Sequence, residues 1–136
     1  MTFRFVTIND HTQLLSFWKE NYFVNELDEL GPLKSFLEKN LDLSLLAEDK
    51  GEVVGTVLGP FDGRRGYIQK LVVRKDYRKQ GLGKQLLEKV IKNLRSAGAL
   101  YIPINVNAEL FTFYEKCGFK VTEQIPMNNT YSTYKK

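Results

Sequence analysis

Leu82, Leu86, Val90 and Leu94 recur every fourth residue, Leu87 and Ile91 lie beside them, and polar residues fill most of the positions between. That spacing holds one apolar stripe on a helix of 3.6 residues per turn, so residues 81–98 are predicted as an amphipathic helix with Gly98 as its C′ residue. Elsewhere the apolar period falls to two. TFRFV (2–6) alternates as a strand does. LSLLAE (43–48) and VVGTVLG (53–59), separated by the turn signal DKGE, read as an antiparallel hairpin, and FDGRRG turns the chain into a third strand, YIQKLVVR (67–74). Before the hairpin, Asp10 is read as an N-cap with Gln13 three residues on, opening a helix that buries Leu14, Leu15, Trp18 and Tyr22. The acidic loop NELDELGP follows, then a short helix LKSFLEKN with Leu33, Phe36 and Leu37 on one face. After the long helix, YIPINV (101–106) reads as a strand and AELFTFYEKC as a short helix closed by Gly118. FKVTEQ with MNNTYSTY reads as a final antiparallel pair. The order β-α-α-β-β-β-α-β-α-β-β predicts an α/β (α+β) fold.

A chain of 136 residues, 43% apolar and 26% charged, is sized and composed as one globular domain, residues 1–136. Neither an internal repeat nor a linker rich in Pro, Gly or Ser divides it. No run of about 18 apolar residues marks a membrane span, and MTFRFVTIND lacks the features of a signal peptide, so a cytoplasmic protein is expected. Cys117 is the single cysteine and His11 the single histidine, which leaves no internal disulfide and no metal-ligand spacing.

The net charge of +4 is unevenly distributed: residues 1–60 hold 5 Lys/Arg against 10 Asp/Glu, whereas residues 74–95 hold 8 against 2. A basic stretch of this kind meets nucleic acid, a phosphorylated small molecule, or water alone. Its sequence, VVRKDYRKQGLGKQLLEKVI (72–91), places Gly81 and Gly83 where the long helix begins. Glycine inside a helix costs about 1 kcal/mol relative to alanine, so two here need a compensating reason. One is close approach of a pyrophosphate to the unpartnered N–H groups and positive dipole end of the helix, with Arg78, Lys79 and Lys84 adding charge. The other is a glycine-rich turn that happens to precede a helix. The ATP-binding P-loop is excluded because Gly83-Lys84 is followed by Gln85, and the dinucleotide fingerprint because Leu86 stands where its third glycine belongs.

The strand LVV (71–73), R-x-x-G-x-G over residues 78–83 and N-x-x-x-x-x-x-Y-E-K-x-G-F over residues 107–119 resemble, in order and spacing, the GCN5-related N-acetyltransferase (GNAT) superfamily. The motifs run from about Val53 to Phe119. The stretch VGTVLGPFDGRRGYIQKLVV is similar to small bacterial members of uncharacterised substrate. The resemblance implies the GNAT fold, with a mixed, mostly antiparallel central sheet, and acetyl-CoA as co-substrate. Backbone groups of Leu71, Val72 and Val73 would pair with the pantetheine arm as an added strand and aim an N–H at the thioester carbonyl. Arg78, Lys79, Gln80, Gly81, Leu82, Gly83 and Lys84 would wrap the pyrophosphate, and Asn107 would contact the pantetheine region. Tyr114 is implied as the general acid for the departing thiolate: a phenol of pKa about 10 suits a thiol of pKa about 8.5. Tyr114 also reads as a core tyrosine, and Cys117, one turn later, reads as a ping-pong nucleophile or, with no histidine near it in sequence, as a small apolar filler.

Two departures from the family bear on mechanism. YIQKLVVR carries no carboxylate to serve as base, and the corresponding later position is Asn105, which leaves a water relay to Glu20, Glu26, Asp28 or Glu29, or an amine arriving neutral. Leu110 replaces a small residue and would narrow the coenzyme channel. The acceptor would approach past the loop NELDELG, where Glu26, Asp28 and Glu29 favour a cationic amine, and past Tyr22, Phe23, Phe61, Tyr131 and Tyr134. Acetyl transfer to a primary amine by direct attack in a ternary complex is therefore expected, with no nucleic acid or membrane partner. Dimers are frequent among relatives, so a homodimer belongs to the expectations. Two other readings stand beside it: an acyl-CoA-binding regulatory module without catalysis, and a basic nucleic-acid-binding module.

Overall fold

The alternating segments form four strands in the computed structural model, which describes residues 1–129. They are β1 (Thr2–Phe5), β2 (Leu45–Asp49), β3 (Glu52–Leu58) and β4 (Gln69–Val73), paired antiparallel in the order β1-β2-β3-β4. The hairpin between β2 and β3 turns on Lys50 and Gly51, whose φ values of 54° and 77° are the pair a two-residue type I′ turn requires. Among the described residues β4 is an edge strand.

Helices α1 (His11–Asn21) and α2 (Leu30–Lys39) cover one face of the sheet, and α3 (Leu82–Ala97) covers the other. On the first face Leu14, Phe17 and Trp18 join Leu33, Leu37, Leu46, Leu58 and Val72 in one buried cluster. Trp18 is fully buried and donates its indole N–H to Thr56 Oγ1 of β3 at 3.0 Å. On the second face the leucine row of α3 meets glycines. A Cβ at Gly55 would come within 2.8 Å of Leu86, at Gly59 within 2.6 Å of Val90, and at Gly66 within 2.9 Å of Leu94. The missing side chains let α3 lie close on the sheet, and Leu86, Leu87, Val90 and Leu94 are fully buried there. Each contributes roughly 1.5–3 kcal/mol by leaving water.

The helix ends as its sequence predicts. Gly98 has φ 112°; its N–H donates to Arg95 O and that of Ala99 to Leu94 O, the two bonds of a Schellman motif. At the start of α1 the outcome differs. Asp10 precedes the helix, but its carboxylate caps no N–H of α1; it accepts from Thr7 N at 2.8 Å and pairs with Arg4 at 2.7 Å. Tyr22, expected in the core, is 48% exposed, and Phe17 takes its place.

The chain forms two compact units, Met1–Ile104 and Asn105–Lys136. In the first, the part of the expected strand at 101–106 that it contains is reduced to a single parallel bridge between Arg65 and Tyr101. Pro103 has no N–H to extend a ladder. In the second, α4 (Phe111–Lys116) follows a 3-10 turn, Ala108–Leu110. The expected strand at 119–124 is not formed either: Val121 stands 76% exposed, with no strand beside it among the described residues. Most of its expected partner, MNNTYSTY, lies outside them, as do Tyr131 and Tyr134. The described elements thus run β-α-α-β-β-β-α-α.

Candidate functional site

α3 begins at a glycine that is needed for its backbone rather than for lack of space. Gly81 is the N-cap with φ 85°, and a Cβ there would meet nothing within 4 Å. Lys79, two residues earlier, is also left-handed at φ 62°. This double turn brings the chain from β4 into the helix axis. The first bond of the helix is Gln85 N to Gly81 O at 3.0 Å, so the N–H groups of Leu82, Gly83 and Lys84 have no acceptor among the described residues, and no side chain caps them. Lys79 and Lys84 are exposed beside these N–H groups, the nearest carboxylate to Lys84 being Glu88 at 3.9 Å. Gln80 is turned back, its Nε2 donating to Asp76 O at 3.2 Å. Unused N–H groups, open space above Gly81 and two unburied cations fit a diphosphate.

Arg78 is directed elsewhere. Its Nε donates to Val73 O at 2.9 Å and its Nη2 to Asn21 O at 3.1 Å, so the guanidinium ties the end of β4 to the end of α1. Lys75 N adds a bond to Asn21 Oδ1 at 3.3 Å. The 3-10 turn Lys75–Tyr77 is braced from the other side, where Arg74 bridges Glu52 and Asp76 and stacks on Tyr77, and the Tyr77 hydroxyl donates to Asp49. Those bonds set the local ionisation: Arg74 holds the Asp76 carboxyl below the usual range, and Asp49 raises the Tyr77 phenol above its own.

The edge of β4 follows from its pairing. Arg74 N donates to Val54 O at 2.8 Å, and hydrogen-bonded and non-bonded pairs alternate along an antiparallel ladder. Val72 therefore spends its main-chain groups on Thr56, while Val73, opposite Gly55, turns its N–H and C=O to the open side. The carbonyl is taken by Arg78, and the N–H has no acceptor among the described residues. Leu71 adjoins a bulge: Thr56 pairs with Val72 but Leu58 with Gln69, so β4 carries one extra residue there.

The bulge is built on Lys70, which local sequence reading passed over. Its φ is 51°. Its ammonium pairs with Asp28 Oδ2 at 2.9 Å, donates to Phe23 O at 2.7 Å and lies over the rings of Trp18, Tyr22 and Phe23 at 4.9, 5.5 and 4.5 Å. The side chains of Lys70 and Asp28 are only 10% and 5% exposed. Asp28 also accepts from Asn25 N in a capping box, and its carbonyl accepts from His11 Nε2 at 2.9 Å. Of the three loop acids expected to attract an amine, Asp28 is thus neutralised from within, whereas Glu26 and Glu29 are exposed, as is Glu20. The sequence signal for Lys70 is a lysine directly before the apolar run LVV (71–73).

In the second unit, Asn107 begins the 3-10 turn, its carbonyl accepting from Leu110 N at 2.9 Å, and Leu110 is 43% exposed. Tyr114 is 7% exposed in α4. The spacing Y-E-K-x-G-F has a structural cause. Gly118, at φ 97°, donates to Glu115 O and Phe119 N to Tyr114 O, a second Schellman motif, and the rings of Tyr114 and Phe119 meet edge to face at 5.7 Å across it. Cys117 is a free, half-buried thiol.

The chain matches the model of the acetyltransferase (GNAT) family over residues 11–119. It is 31% identical over 123 residues to an acetyltransferase of Sodalis glossinidius, covering 88% of this chain and 81% of that one. Among solved structures it is similar to a PaiA N-acetyltransferase of Thermoplasma acidophilum in complex with coenzyme A. The TM-score is 0.78 at 23% identity, over 91% of this chain and 92% of that one. It is also similar to a glucosamine-6-phosphate N-acetyltransferase of Arabidopsis thaliana, with a TM-score of 0.73 at 22% identity over 96% and 97%. Among the described residues no helix is long and apolar enough to cross a membrane. The family match thus spans the open β4 edge, the bare amides that open α3 and the Tyr114 helix alike, and the chain belongs to the GNAT family of acetyl-CoA-dependent N-acetyltransferases.

Proposed function

We propose that the protein transfers the acetyl group of acetyl-CoA to a primary amine by direct attack, both substrates being bound at once. The observation that carries this reading is the start of α3. There the N–H groups of Leu82, Gly83 and Lys84 are unpartnered behind a left-handed Gly81, with Lys79 and Lys84 exposed beside them. These groups bind the diphosphate. The outward N–H of Val73 receives the thioester oxygen and stabilises the charge that develops on it as the amine attacks. Leu71 and Val72 shape the strand edge along which the pantetheine arm lies, and Asn107 contacts that arm. Tyr114 gives its phenolic proton to the departing thiolate. Acetyl-CoA itself supplies an acyl group activated by its thioester.

Arg78 acts through the clamp it makes on Val73 and Asn21 rather than by direct contact with phosphate. With Asp28 engaged by Lys70, proton removal from the ammonium form of the acceptor falls to water held by the exposed Glu26 or Glu29. The same two carboxylates favour cationic acceptors. The family match from residue 11 to residue 119 supports residues 1–136 as a single acetyltransferase domain.

The test is thiol release from acetyl-CoA with a panel of primary amines spanning small amines, polyamines, amino sugars and peptides. Steady release of CoA dependent on one class of amine is expected. Binding of acetyl-CoA without release under any amine would leave the regulatory acyl-CoA module in its place. That rival draws on one feature, a β4 strand with no carboxylate.

A further inference from the structure

We infer that Lys70 is a positioning residue of the acetyl-transfer site: its buried ammonium, clasped by Asp28 and Phe23, holds the β4 bulge that aims the Val73 N–H at the acetyl carbonyl. The inference rests on the functional reading above and assigns a role to a residue that reading does not use.

Lys70 is the extra residue of β4 or its immediate neighbour, since one residue of β3, Val57, stands opposite two of β4, Lys70 and Leu71. It is left-handed, a conformation that L side chains with a Cβ avoid and that persists only where the surroundings fix it. Two sets of bonds fix it here. From the sheet side, Trp18 Nε1 donates to Thr56 Oγ1 at 3.0 Å, and Thr56 Oγ1 donates to Lys70 O at 2.8 Å, a buried chain ending on the strained backbone. From the loop side, the ammonium donates to Asp28 Oδ2 and Phe23 O under three aromatic rings. A buried lysine held only to brace the loop would not need a strained backbone. A bulge held only by its backbone would be served by glycine. The combination couples the α1–α2 loop to the strand position three residues before the outward N–H.

Removing one ion from a buried pair leaves the other uncompensated, so the pair acts as a unit. Replacing Lys70 by glycine keeps a residue that accepts φ near 51° and deletes the clasp.

The experiment is a set of ¹⁵N–¹H spectra of the wild type and Lys70→Gly, titrated with acetyl-CoA and with CoA, together with kcat per folded protein. In the wild type the amides of Gly81, Leu82, Gly83 and Lys84 should shift with both ligands, and Val73 should shift further with acetyl-CoA than with CoA. In Lys70→Gly the shifts at 81–84 should persist. The acetyl-dependent shift of Val73 should vanish, and kcat should fall by about 10- to 100-fold with KM for acetyl-CoA changed less than threefold. Should Lys70→Gly not fold, Asp28→Asn, which breaks the same clasp, is read by the same two signals. An acetyl-dependent Val73 shift that survives in the variant, with kcat within twofold of wild type, overturns the inference. Absence of shifts at 81–84 in the wild type overturns the functional reading instead, and the inference with it.

Discussion

The Arg78 guanidinium donates through Nε to the carbonyl of Val73 at 2.9 Å, so the first residue of the R-x-x-G-x-G stretch grips the strand before it. A second bond from Nη2 to Asn21 O closes a clamp across the end of α1. Arg78→Ala should therefore act on geometry. We expect a loss of about 1 kcal/mol in unfolding free energy, the bonds being solvent-exposed, and a rise in KM for acetyl-CoA of roughly fivefold. Its salt dependence should match that of the wild type, whereas Lys84→Ala should flatten the salt dependence if, as we propose, Lys84 meets the phosphates directly. Binding titrations at several ionic strengths separate the two; a flattened slope in Arg78→Ala would place its charge on the ligand.

Gly81→Ala tests the double turn into α3. No atom lies within 4 Å of the new Cβ, so its cost is conformational, about 1–2 kcal/mol for forcing an L residue to φ 85°. Thermal melts should show that loss, and KM for acetyl-CoA should rise at least tenfold as the amides of Leu82 to Lys84 rotate. Gly81→Asn should be milder on both counts because asparagine tolerates the left-handed region. Equal behaviour of the two variants would mean that the backbone angle is not what the position requires.

Tyr114 has a ring that staples the end of α4 and a hydroxyl we propose as catalytic, and two substitutions divide them. Tyr114→Phe should retain the fold and acetyl-CoA binding while lowering kcat about 10²-fold and removing the alkaline limb of its pH profile. Tyr114→Ala should cost about 3 kcal/mol of stability as well, since a buried ring and its contact with Phe119 are lost. An unchanged kcat in Tyr114→Phe would remove the hydroxyl from the mechanism.

Asp10 gives the protein an acid-sensitive joint. Burial works against its charge, but the Arg4 guanidinium and the Thr7 amide outweigh burial and hold the carboxyl below its ordinary value. The folded state thus binds its proton more weakly than the unfolded chain. The stability this confers is complete above the unfolded value of about 3.9 and is lost as pH falls through the lower folded value. Urea midpoints measured from pH 7 down to pH 2 should hold to about pH 4 and drop steeply below it in the wild type. Asp10→Asn should start lower and fall less over the same range.

What could be read from the sequence divides along the range of the forces involved. The α3 stripe, the Lys50-Gly51 turn and the Gly98 and Gly118 closures are set within a few residues, by side-chain period and by glycine's access to positive φ, and all four stand in the structure. The strand at 101–106 needed a distant partner and found one bridge, at Tyr101, before Pro103. Asp10 looked like a helix cap until Arg4, six residues earlier on β1, claimed its carboxylate. At the site, the glycines and flanking lysines announced the N-terminus of α3, yet Arg78 gave no sign that Val73 and Asn21 would absorb it. Nor did NELDELG reveal that Asp28 is matched by a lysine from β4, because a buried ion pair between remote segments leaves no local pattern.

The central claim is that the bare amides opening α3 hold the diphosphate of acetyl-CoA. A crystal structure of the coenzyme A complex tests it most directly. The account predicts diphosphate oxygens within hydrogen-bond distance of the N–H groups of Leu82, Gly83 and Lys84, with the pantetheine arm running along the open edge of β4. Coenzyme A seated elsewhere, or those three N–H groups bonded to the protein's own acceptors in the complex, would contradict it.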